Sequence, residues 1–145
     1  MASSRGGTRR PGAATIELAF VAVVLFLFLF GVIEYGRFVM VVQLANNAAR
    51  EGARAAVTGQ STLTTAQIQG VVNNYLAGQL PGYTTQVYQI DPSTGNNLGA
   101  WTSAGFGQAI AVQVNADYTP MLPSFLHLQA SFPLQALAIE YSEAN

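Results

Sequence analysis

The sequence predicts an α+β protein: a long N-terminal transmembrane helix that runs on into a small extracytoplasmic domain, with a second helix and an antiparallel sheet of about three strands. Three observations carry this. The 21 residues from Ala13 to Ile33 hold one ionisable side chain, Glu17. The helical pattern continues past them with no proline before Pro81. From Tyr83 the period of apolar residues changes from helical to alternating.

The apolar run comes first. At about 1.5 Å per residue a helix over 13–33 spans roughly 30 Å, the thickness of a bilayer's hydrocarbon core. Leu18 to Phe30 contains no polar side chain. A helix apolar on every side sits either inside a large protein or in lipid, and a chain of 145 residues is too short to wrap it. The leader, residues 1–12, is small, polar and basic and has nothing to bury. Its Arg5, Arg9 and Arg10 place the N-terminus in the cytoplasm by the positive-inside rule, and so the rest of the chain outside. A cleaved secretory signal fits poorly, because the run ends in Glu34-Tyr35-Gly36-Arg37 without a small-x-small site. The expected location is the cytoplasmic (inner) membrane, crossed once.

Residues 34–57 continue the helix in water. Ala45, Ala49, Ala53 and Ala56 recur at helical spacing beside Gly52, a face that lets another backbone come close. Arg50 and Arg54 lie on another side, with Glu51 within i,i+3 reach of Arg54. Glu34 and Arg37, also three apart, mark the outer membrane boundary or form an assembly contact there.

Residues 58–145 read as the small α+β domain. Thr58-Gly59-Gln60-Ser61 breaks the helix. Thr64 with Gln67 forms a capping box for a second helix. Its apolar face is Ile68, Val71, Val72, Tyr75 and Leu76, and Gly78 and Pro81-Gly82 end it. Strands follow at 83–90 and 109–118, the second with Ile110, Val112 and Val114 on one face and Gln113, Asn115 and Asp117 on the other. A turn cluster at 91–97 comes after the first strand. An apolar loop with two prolines, 119–129, leads to a last strand at about 130–141, interrupted or bulged near Pro133. Such a sheet needs a helix to cover one face.

Composition excludes several functions. No Lys or Arg follows Arg54, so no basic patch for nucleic acid exists outside the leader and first helix. The chain has no cysteine, which removes disulfides and thiolate metal sites. His127 is its one histidine and has no neighbouring carboxylate in sequence, so neither a metal site nor a histidine relay is expected. No phosphate-loop spacing or general acid–base pair is present. Trp101, in a glycine-rich stretch, reads as a loop anchor or core residue. The expectation is a non-enzyme without cofactor or small-molecule substrate.

Glu17 is the residue that asks for a function. A carboxylate deep in a transmembrane helix costs about 2.5–3.5 kcal/mol and is usually paired or functional. A cut after Gly12 would give Ala13 an α-amino group four residues from Glu17, on the same helix face. The alternative is a side chain reaching the headgroup region unaided.

Gly12-Ala13-Ala14-Thr15-Ile16-Glu17, then Gly31-Val32-Ile33-Glu34-Tyr35-Gly36-Arg37, then Ala48-Ala49-Arg50-Glu51-Gly52-Ala53-Arg54 appear in that order around the apolar run. Together they resemble the TadE-like family, minor pseudopilins of the bacterial tight-adherence (Tad/Flp) pilus system. The C-terminal half is similar more loosely, through Val112 to Tyr118 and Ala138-Ile139-Glu140. The resemblance implies a pilin-like outline and a precursor cut after Gly12 by a membrane prepilin peptidase. It also implies that Glu17 acts in subunit alignment, with other Tad pilins, pseudopilins and the pilus assembly machinery as partners. Ala13 departs from the Phe or Met common at the start of mature type IV pilins, and Leu18 from the aromatic usual after the Glu in Tad pilins. A different reading of the same features is an uncleaved, signal-anchored extracytoplasmic scaffold that binds its partner through 121–128.

Overall fold

A computed structural model describes residues 11–121 and 131–143. The leader up to residue 10, most of the apolar loop expected at 119–129, and His127 within it lie outside the described residues. The chain divides into two compact units, one ending at Gly36 and one beginning at Arg37.

Helix α1 (Pro11–Thr58) is a single uninterrupted helix of 48 residues. Proline suits its first turn, where the missing N–H has no helical acceptor. Gly31, Gly36 and Gly52 do not break it. In the first unit its side chains from Gly12 to Phe20 are all exposed, as are most of those up to Gly36. The helix is long and apolar enough to cross a membrane.

The second unit carries the core. Helix α2 (Thr65–Leu76) has the capping box expected of it: the Thr64 hydroxyl accepts from the Gln67 N–H, and the Gln67 side chain accepts from the Thr64 N–H at 2.8 Å. Its left-handed C-cap falls on Ala77, with φ 46°, one residue before Gly78. Ile68, Val72 and Leu76 are buried. Tyr75, expected on the same face, is instead 46 % exposed because it lies outside the i, i+4, i+8 row.

The sheet has four strands rather than three, β1 (Thr84–Ile90), β2 (Asn97–Gly99), β3 (Ala109–Tyr118) and β4 (Phe132–Tyr141), antiparallel in the order β2-β1-β3-β4. β2 starts at Asn97, the last residue of the stretch read as a turn, pairs with the end of β1, and at three residues is too short to show alternation. β4 runs through Pro133 without interruption, since Pro133 pairs in register with Asp117.

One face of this sheet is covered by both helices. Ile110, Val112, Val114, Leu134, Ala136 and Ala138 meet Val41, Ala45, Ala49, Ala53 and Ala56 of α1 and Ile68, Val72 and Leu76 of α2 in one cluster. On the opposite face Tyr88, Ile90, Ala109 and Ala111 form a smaller buried cluster. Trp101, in a 3₁₀ turn (Trp101–Ser103), is a core residue whose indole N–H donates to Thr65 Oγ1 at 2.9 Å.

Candidate functional site

Gly12, Ala13 and Glu17 all lie in the first two turns of α1 and are exposed. Glu17 sits four residues after Ala13, so both belong to one helix face. The Gly12–Ala13 peptide is therefore inside the first helical turn. Glycine there lowers local helix stability by about 1 kcal/mol relative to alanine, which favours fraying of that turn. From Leu18 to Phe30 the exposed surface is wholly apolar, with the Phe26 and Phe30 rings one turn apart, tilted to each other and with centres 6.5 Å apart.

Farther along α1, Arg37 opens the second unit and is held by the end of β3. Its Nη1 donates to the Thr119 carbonyl at 3.2 Å and approaches the Tyr118 hydroxyl at 3.4 Å, while the guanidinium lies 5.0 Å from the centre of the Tyr118 ring. Phe38 meets the same ring edge-on at 5.2 Å. A cation over a buried tyrosine face, with a carbonyl as second acceptor, fixes this turn of α1 to the sheet. Sequence reasoning singled out Arg37 but not Tyr118 or Thr119. Nothing local could have found them, since they lie 81 and 82 residues away.

The small-residue row is the part that changes meaning. Ala45, Ala49, Ala53 and Ala56 are buried against the chain's own sheet and α2. Gly52 is the tightest point: a Cβ built there would stand 2.7 Å from Val72 Cγ2 and 3.1 Å from Val112 Cγ1. The backbone this face admits is the chain's own. Glu51 and Arg54 meet at 4.0 Å on the exposed side, a contact worth little.

The end of the long helix is tied down by Gln60. Its Nε2 donates to the Ala104 carbonyl, and its Oε1 accepts from the buried Ser142 hydroxyl. A cleft of about 560 Å³ opens beside Thr84, Asn115, Asp117 and Gln135. Among the described residues that line it, Asp117 is the one carboxylate and no nucleophile stands beside a base.

The surface with the strongest functional signature is thus the exposed apolar helix with its single acid. No curated protein and no solved structure matches the chain. Residues 12–54, the stretch that carries Glu17, Arg37 and Gly52, match the family model described as TadE-like protein.

Proposed function

We propose that the chain is a membrane-anchored minor pseudopilin that contributes to Tad-pilus biogenesis by packing its apolar helix against other pilins. The observation that supports this most is the exposed surface of α1 over 13–33, whose polar side chains are Thr15 and Glu17 alone, both in its first turns. Lipid tails and a bundle of like helices are equally apolar, so such a helix exchanges one for the other at little hydrophobic cost. With the Ala45–Ala56 row filled by the chain's own core, contact with other subunits in this reading falls to residues 13–33.

In this reading the N-terminus is cytoplasmic and the unit from Arg37 is extracytoplasmic. A prepilin peptidase opens the first turn of α1 and cuts Gly12–Ala13. The new amine of Ala13 then meets the Glu17 carboxylate of its own helix or of a neighbour, and each charge offsets the other's desolvation. Glu34 and Arg37 stand where the helix leaves the membrane. The chain acts as a structural subunit and a peptidase substrate, without enzymatic activity, cofactor or nucleic-acid partner of its own.

Two measurements test this. Intact mass of protein extracted from membranes should show loss of residues 1–12 when the prepilin peptidase is present and their retention when it is deleted. Glu17→Ala should reduce piliation severely while the protein accumulates normally. An uncut terminus in working protein, together with normal pili from Glu17→Ala, would replace this reading with that of a signal-anchored scaffold.

A further inference from the structure

We propose that the end of the second unit where Tyr118 meets Arg37 is a foot that rests in the lipid headgroup layer, beside the point where α1 leaves the bilayer. This rests on the reading that α1 crosses the membrane, but not on the chain's being a pilin. The depth follows from the helix itself. With 13–33 filling a hydrocarbon core of about 30 Å, Arg37 stands four residues, or roughly 6 Å, past its edge along α1. The headgroup layer on each side is about 5–8 Å thick, so Arg37 falls at its level. Tyr35 and Arg37, on either side of Gly36, are residue types that seat at this boundary.

What is tied to Arg37 shares that level. Its guanidinium lies over the Tyr118 ring and donates to the Thr119 carbonyl at 3.2 Å. Phe132 is the partner of Tyr118 across the β3–β4 ladder, and such partners stand about 5 Å apart on one face of a sheet. Phe38 packs edge-on against the same ring. Met121 follows Thr119 by two residues, which keeps it within about 7 Å of that carbonyl's residue even at full extension. Residues from α1, β3 and β4 thus meet at one end of the unit.

The two ends of the core-facing row differ in chemistry. Along β4, Leu134, Ala136 and Ala138 of that row are buried, and the end far from Arg37 finishes in the exposed carboxylate of Glu140. The near end finishes in Phe132, 38 % exposed, with Phe38 39 % and Met121 66 % exposed beside it. Water suits the glutamate end. The boundary of a bilayer suits an end where aromatic rings and a thioether stand beside an arginine. Asp117, the acid of β3 nearest this end, alternates onto the opposite face of the sheet and is exposed there. A carboxylate so close holds the foot at the headgroups and out of the acyl chains. Covalent continuity selects lipid as the occupant: the bilayer is always within a few ångströms of this rim, whereas another protein has to be recruited to it.

The chain has no cysteine, so single cysteines can carry a bimane label in the full chain reconstituted into phosphatidylcholine vesicles. Lipid with a nitroxide on its headgroup should quench labels at Met121→Cys and Phe132→Cys at least about twofold, and more than lipid with the nitroxide midway along an acyl chain, as a site in the headgroup layer requires. Leu25→Cys should show the reverse order, which reports the span. Phe106→Cys, an exposed position three residues before the other end of β3, should be quenched by neither lipid. Should Phe132→Cys fail to fold, Met121→Cys decides. Labels at 121 and 132 that neither lipid quenches, with Leu25→Cys quenched, would overturn the proposal and leave the span standing. An unquenched Leu25→Cys would overturn both. Equal quenching at Phe106→Cys would mean that any exposed apolar residue of the unit touches lipid, and shielding from aqueous iodide without quenching by lipid would assign the surface to a second copy of the chain. Either result overturns the foot.

Discussion

Asp91 shows how much one side chain settles in a turn. Its carboxylate accepts from the Ser93 hydroxyl at 2.6 Å, the Ser93 N–H at 2.9 Å and the Thr94 hydroxyl at 2.8 Å. These bonds, the Ser93 hydroxyl foremost, lower its pKa from 3.8 to about 2. The folded pKa is below the unfolded one, so the stabilisation is complete above the unfolded value near 3.8 and disappears as pH falls through about 2. Asp91→Asn should therefore be less stable than the parent at pH 5, and the gap should close by pH 2, as urea midpoints at both pH values will show. Thr85 poses the opposite case. Its hydroxyl oxygen is buried with no hydrogen-bond partner among the described residues. Thr85→Val keeps the shape and removes the unmet group, and should raise stability by about 1 kcal/mol in denaturant titration. The Gln69 bond to its carbonyl is untouched.

Among the elements, glycine marks where packing overrules helix propensity. Gly52 in α1 and Gly70 in α2 are both helical, yet only Gly52 has neighbours within 4 Å of a built Cβ. Gly70→Ala should stabilise by about 0.5–1 kcal/mol through propensity alone. At Gly52 the same change pushes a methyl into Val72 and Val112. Overpacking of this kind costs about 1–3 kcal/mol and outweighs the propensity gain. The two variants should shift the thermal midpoint in opposite directions. Gln60, just past α1, and the buried Ser142, just past β4, tie the ends of those two elements together through a bond between residues distant in sequence.

At the scale of the whole molecule, the chain is two units that differ in how much of themselves they bury. The unit from Arg37 contains its own core: the second part of α1, α2 and the sheet bury each other without help from residues before Gly36. The stretch before Gly36 buries almost nothing within the chain. A fragment comprising residues 37–145 should therefore be soluble without detergent and unfold in one cooperative transition by circular dichroism. Adding Gly52→Ala should lower that transition. Aggregation of the fragment, or a non-cooperative melt, would mean that the apolar helix is needed to complete the fold.

The apolar run, the capping box of α2, the length of β3 and the turn at Asp91 were all legible in the sequence, because each rests on interactions between residues a few positions apart. Glu17 stood out for the same reason, as one acid in a long oily stretch. Three things were not legible. The alanine and glycine row announced a close contact, but whether it would meet a neighbour or its own sheet depended on residues sixty positions on. β2 is too short to carry a period. Arg37 found Tyr118 and Thr119 only because the end of β3 comes to lie beside that turn of α1. Sequence alone determined which segment is fit for lipid and which elements form, since periodicity and local capping are written along the chain. Only the tertiary structure decided which face of α1 is already filled, because burial is a property of residues brought together from afar.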